Sequence, residues 1–160
     1  MTAGSAVLLI DPKFAHNVGG ALRACAVFGA ETLAWTPQRV APRGEWPKGQ
    51  RLPREERIAA YRRVQIANPE RTDAIGMFAR AGFHPVAVEL RSHAESLPQF
   101  VHPARAVYVF GPEDGSLSRG ELAACYRFVC IPTTGCMNLA AAINVVLYDR
   151  VAKQQASAAA

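Results

Sequence analysis

Short apolar runs alternate with stretches of helical periodicity along most of this chain. The runs AVLLI (6–10), TLAW (32–35), PVAVEL (85–90), AVYVF (106–110) and FVCI (128–131) are mostly continuous, the pattern of strands covered on both faces. Between and after them, helices are predicted over 17–29, 53–64, 69–81, 118–125 and 138–153. Asn17 suits an N-cap, Gly29 a C-terminal stop and Pro53 a first helical turn. The alternation predicts an α/β fold, a parallel sheet flanked by helices. Its last helix carries two apolar stripes: Leu139, Ile143, Val146 and Leu147 on one side, Ala141, Val145 and Tyr148 on another. A helix lying on a sheet needs one apolar side, so the second stripe is expected to meet a partner subunit or to lie beneath the basic segment at 37–63.

Length and composition narrow this to one domain over 1–153 with a frayed tail over 154–160, since 160 residues, half of them apolar, suffice for a full core. Four cysteines, at 25, 125, 130 and 136, form no C-x-x-C pair, so a cytoplasmic protein with reduced thiols and no metal is expected. No targeting segment is read at the start, and no run is long enough for a membrane helix, so no membrane partner is expected. The net charge of +5 has a location: residues 37–63 hold eight Arg and Lys against three Glu, while the rest of the chain balances at ten of each sign. That segment also holds four prolines, Trp46 and Tyr61, and phosphate is its natural partner.

In an open parallel sheet, functional groups gather at the carboxyl ends of the strands. Three loops there carry unusual polar chemistry. The first strand is followed by DPKFAHNVGGALRAC, where Gly19 and Gly20 let another chain approach the backbone closely. AVYVF is followed by GPEDGSLS and FVCI by PTTGCMN, which leads into the last helix at Asn138. Each loop also has a plain reading: Asn17 as a cap, Arg23 paired with Glu113, GPEDG as a turn. No G-x-G-x-x-G follows the first strand, which argues against a dinucleotide-binding oxidoreductase.

In this order, HNVGGALRACAVFGA (16–30), VFGPEDGSLS (109–118) and IPTTGCMNLAAAINVVLYD (131–149) resemble the three motifs of the SpoU, or TrmH-type, branch of the SPOUT RNA methyltransferases. Without a long N-terminal extension, the chain looks most like the minimal members that modify the tRNA wobble nucleotide. The resemblance implies a C-terminal trefoil knot, a homodimer built partly on the last helix, and S-adenosylmethionine bound in a bent shape. It implies methyl transfer to a ribose 2′-hydroxyl of RNA, with tRNA favoured over ribosomal RNA. A knotted RNA-binding protein without turnover is the rival reading.

Matched position by position, the resemblance assigns catalytic roles to Asn17, Arg23, Glu113 and Asn138. Glu113 would fix Arg23, which would anchor an RNA phosphate and orient the 2′-oxygen, since a guanidinium gives up its proton only at very high pH. The cofactor is expected against Val88, Glu89, Leu90, Gly111, Ile131, Cys136 and Leu139, with Cys136 standing where many members have Ser. RNA phosphates are expected on Arg39, Arg43, Lys48, Arg51, Arg54 and Arg57.

Overall fold

The computed structural model describes residues 4–42 and 62–159. Seven strands form one sheet: β1 (Gly4–Leu9), β2 (Thr32–Trp35), β3 (Gln65–Ala67), β4 (His84–Val88), β5 (Glu95–Ser96), β6 (Arg105–Phe110) and β7 (Arg127–Cys130). All neighbours pair in parallel, in the order β3-β2-β1-β6-β4-β7-β5. The helices are α1 (Ala15–Phe28), α2 (Ala74–Arg80), α3 (Arg119–Ala123) and α4 (Leu139–Ala158). The five expected strands are present, and β3 and β5 are additions at the two sheet edges. The expected helix over 53–64, together with Trp46 and Tyr61, falls largely or wholly outside the described residues. None of the described helices is long and apolar enough to cross a membrane.

Strand side chains alternate between two cores. Val7, Leu9, Leu33, Ala106 and Tyr108 pack with α1 and α4 on one face, while Ala6, Leu8, Ala34, Val107 and Val109 pack with α2 and α3 on the other. Because both faces are buried, the strand sequences are apolar without interruption. Helix α1 begins two residues earlier than its sequence pattern predicts, with Phe14 at the N-cap position and no side-chain cap. Asn17 is therefore not a cap; it lies inside the first turn and is only 2% exposed. Gly29 does end the helix in the left-handed conformation, at φ 73°.

Of the glycine pair, Gly20 meets a close approach, and it comes from α4 of the same chain. A Cβ on Gly20 would come within 2.7 Å of the Ala140 Cβ, so this position must stay bare for the two helices to pack. At its far end α4 is pinned by Arg150, which is buried and donates to the carbonyls of Gly4, Pro103 and Ala104 and to the Tyr108 hydroxyl. From there the hydrogen bonds run in one direction. His102 Nδ1 lies 2.5 Å from the Tyr108 hydroxyl and Nε2 2.8 Å from the Asp149 carboxylate; a carboxylate only accepts, so Nε2 carries a proton, and in the neutral ring Nδ1 accepts from Tyr108. Lys153 completes the cluster on Asp149 and the carbonyls of Leu97 and Phe100. With these anchors, α4 runs to Ala158, through most of the stretch expected as a frayed tail.

Gly20→Ala is expected to lower the unfolding free energy by about 1 kcal/mol, overpacking outweighing the gain in helix propensity. Ala140→Gly in the same chain should recover part of that loss in a denaturant titration, and strict additivity would contradict the contact. Burial holds the His102 imidazole below its ordinary value of 6.5, outweighing the Asp149 carboxylate that raises it. Because the folded value is depressed, stability is complete above 6.5 and falls as pH drops through the folded value. An NMR titration of His102 should give a midpoint below 6.5; a midpoint above it would contradict the neutral chain.

Candidate functional site

The carboxyl ends of β4, β6 and β7, together with the starts of α1 and α4, enclose a cleft of about 620 Å³. Val88, Glu89, Leu90, Gly111, Ile131, Cys136 and Leu139 all line it. So do Asn17, Glu113 and Asn138, whereas Arg23 stands on the exposed side of α1 and is not among the described residues that line the cleft. Parallel topology explains the gathering: every strand delivers its following loop to the same edge.

Three side chains join those loops. Asn138 caps α4 by accepting from the Ala141 amide at 3.2 Å, which leaves its Nδ2 to donate to Asn17 Oδ1 at 3.0 Å. Asn17 then has only its own Nδ2 for Glu113, and donates to Oε1 at 2.6 Å. The other carboxylate oxygen of Glu113 accepts from the Lys13 amide at 2.8 Å. Amide and carboxylate polarity thus permits one orientation of each group, without any choice of flip. The bonds connect residues 121 and 96 positions apart in sequence. Asn138 is accordingly both a helix cap and a wall of the cleft.

Burial alone would push the Glu113 carboxyl up, but hydrogen bonds from Asn17 and from the Lys13 and Phe14 amides hold it below the ordinary 4.5. Its negative charge also sits at the N-terminus of α1, where the helix dipole favours it. Glu113 therefore spends both oxygens on the start of α1. Glu89 is a brace of the same kind, accepting from the Leu117 amide at 2.6 Å and from Arg91 at 2.8 Å. Gly111 allows the backbone to turn tightly between them: a Cβ there would meet Leu117 N at 3.1 Å.

Beside the cleft lies a network of ion pairs. Arg39, expected on RNA, binds Asp11 through Nε at 3.0 Å and both oxygens of Asp114 at 3.0 Å, and Lys13 also reaches Asp114 at 3.2 Å. Arg71 joins Glu121 to the same network through Asp11. The guanidinium of Arg39 is thus shared between two carboxylates of its own chain. Arg43, Lys48, Arg51, Arg54 and Arg57 lie outside the described residues. No three His, Cys, Asp or Glu side chains among the described residues are grouped to hold a metal ion.

Sequence reasoning missed Phe14 and His16, both exposed residues that line the cleft. The available signal was an aromatic residue in the otherwise polar DPKFAHN loop, where no packing need accounts for it.

Residues 4–148 match the model of the SpoU rRNA methylase family. No curated protein matches the chain. Among solved structures, the SpoU methyltransferase AviRb from Streptomyces viridochromogenes aligns over 98% of this chain and 62% of its own, with 20% identity and a TM-score of 0.78. This chain thus spans about three fifths of AviRb, which has also been solved with AdoMet. A protein solved in work on the 2-OH methylation of C/U34 on tRNA aligns over 97% of this chain and 98% of its own, at 23% identity and a TM-score of 0.75. The A. aeolicus TrmH/SpoU tRNA modifying enzyme aligns over 98% and 78%, at 18% identity and 0.77. At these identities the structures establish a shared fold.

Glu113→Gln places an amide donor against either Asn17 or the Lys13 amide and should cost about 1–3 kcal/mol of stability at neutral pH. Since the folded-state carboxyl titrates below 4.5, its contribution is complete above that value and disappears as pH falls through the folded value. Unfolding curves of wild type and variant should therefore converge in acid, and a constant difference down to pH 2 would contradict the arrangement.

Proposed function

The chain belongs to the SpoU rRNA methylase family, and from that premise we propose that it is an S-adenosylmethionine-dependent enzyme that methylates a ribose 2′-hydroxyl of tRNA. One observation carries the reading: the loops after β1, β6 and β7 are bonded to one another through Asn17, Glu113 and Asn138 at the rim of a single cleft. The choice of tRNA is supported by the end-to-end alignment with the structure studied for tRNA C/U34 methylation.

S-adenosylmethionine fits this cleft. About 620 Å³ lies in the range of small-molecule sites, Val88, Leu90, Ile131 and Leu139 offer apolar walls, and Gly111 lines the cleft at a position where a Cβ would crowd the Leu117 amide. Residues 88–90, Gly111, Ile131, Cys136 and Leu139 would hold it. When bound, it supplies a methyl group already activated by the positive charge on sulfur. Asn17 and Asn138 are positioning residues, since their amides are used in fixing the start of α1 to the start of α4. Glu113 holds the same turn from the other side. Arg23, whose guanidinium offers donors and no acceptor, binds an RNA phosphate and orients the acceptor oxygen instead of taking its proton. Positioning of this kind supplies much of the rate in an in-line displacement.

Two further parts belong to the reading. The chain leaving β7 threads the 89–94 bridge as a trefoil knot, a reading supported by the pairing of β4 and β5 with opposite edges of β7 at Val129. The protein is a homodimer through the α1–α4 side, where Val27 and Tyr148 are 66% and 62% exposed.

Transfer of labelled methyl groups to total RNA, followed by fractionation and nucleoside analysis, should yield 2′-O-methylnucleosides from tRNA. Asn17→Ala should lower the rate by about 100-fold, the scale of a 1 Å misplacement. Label confined to ribosomal RNA would overturn the substrate, and no label in any fraction would overturn the activity.

A further inference from the structure

Phe14 occupies the N-cap position of α1, where Ser, Thr, Asp or Asn would cap the helix, and it makes no side-chain cap. The residue is 43% exposed, so it is poorly buried as well. It stacks instead on exposed His16, with ring centroids 5.3 Å apart and planes 18° from parallel, and both rings line the cleft. The backbone beneath them is fixed, because Glu113 accepts from the amides of Lys13 and Phe14. Lys13 Nζ stands 5.4 Å from the Phe14 ring centre while paired with Asp114 at 3.2 Å.

We propose that the stacked rings of Phe14 and His16 form a platform for the base of the nucleotide to be methylated, with Lys13, over the Phe14 ring, placed to meet the adjoining phosphate. This rests on the RNA methyltransferase reading above and extends it to a subsite. Three physical features point to a nucleobase. The stacked pair leaves an outer aromatic face on which any base can continue the stack without sequence readout. Single-stranded RNA is held by such stacking once its bases are splayed from their neighbours. The platform precedes Asn17 directly in sequence and is pinned by the same carboxylate, so a base stacked there keeps its ribose beside the Asn17–Glu113–Asn138 chain.

The test uses the full chain and unfractionated tRNA, with three readouts: RNA binding without turnover, KM and kcat for methyl transfer, and calorimetric binding of S-adenosylmethionine. Phe14→Ala should raise both the RNA Kd and KM roughly 5- to 100-fold and leave S-adenosylmethionine binding unchanged. Phe14→Trp, which keeps a stacking surface, should stay within about twofold of wild type, and His16→Ala should shift in the direction of Phe14→Ala. Unchanged RNA binding in Phe14→Ala, a loss that Trp fails to rescue, or a wild type that does not bind tRNA would each overturn the platform. Wild-type RNA binding without methyl transfer would instead overturn the activity, while the Kd comparison still decides the platform.

Discussion

Three loops that are remote in sequence meet at one cleft because a buried asparagine has two hydrogen-bonding ends to offer. Asn17 accepts from Asn138 through its oxygen and donates one amide hydrogen to Glu113, and with 2% exposure it has little access to water as a substitute. An unsatisfied buried amide would cost far more than the net gain of the bonds it makes, so the loops after β6 and β7 are held to the start of α1 mainly by the penalty of separating them.

Packing on α4 makes this arrangement possible. Asn138 sits where it does because α4 lies against α1, and that approach depends on the bare Gly20 opposite Ala140. At the other end, buried Arg150 ties α4 to the first residues of β1 and the lead into β6. The helix is thus gripped at both ends of the sheet, with Ile143, Val146 and Leu147 buried between the grips. Its second apolar side remains partly open at Tyr148, beside Phe28.

The sheet was legible because strands buried on both faces are written as continuous apolar runs. β3 and β5 were not, since QIA and ES are too short and too polar to stand out and are strands only through pairing at the sheet edges. Asn17 illustrates the limit of local rules. An asparagine before an apolar helical run reads as an N-cap, yet α1 starts earlier because Glu113, nearly 100 residues on, receives the amides ahead of it. Asn17, Glu113 and Asn138 were named together through the motif resemblance; periodicity could not have grouped them. Phe14 and His16 escaped notice because neither lies on an apolar face, and their significance comes from the cleft they border.

A double-mutant cycle between Glu113→Gln and Asn138→Ala, read in both unfolding free energy and S-adenosylmethionine affinity, tests the central claim most directly. The two residues communicate through Asn17, so the account predicts a coupling of about 0.5–3 kcal/mol in stability and a non-additive change in affinity. Strict additivity in both would contradict it.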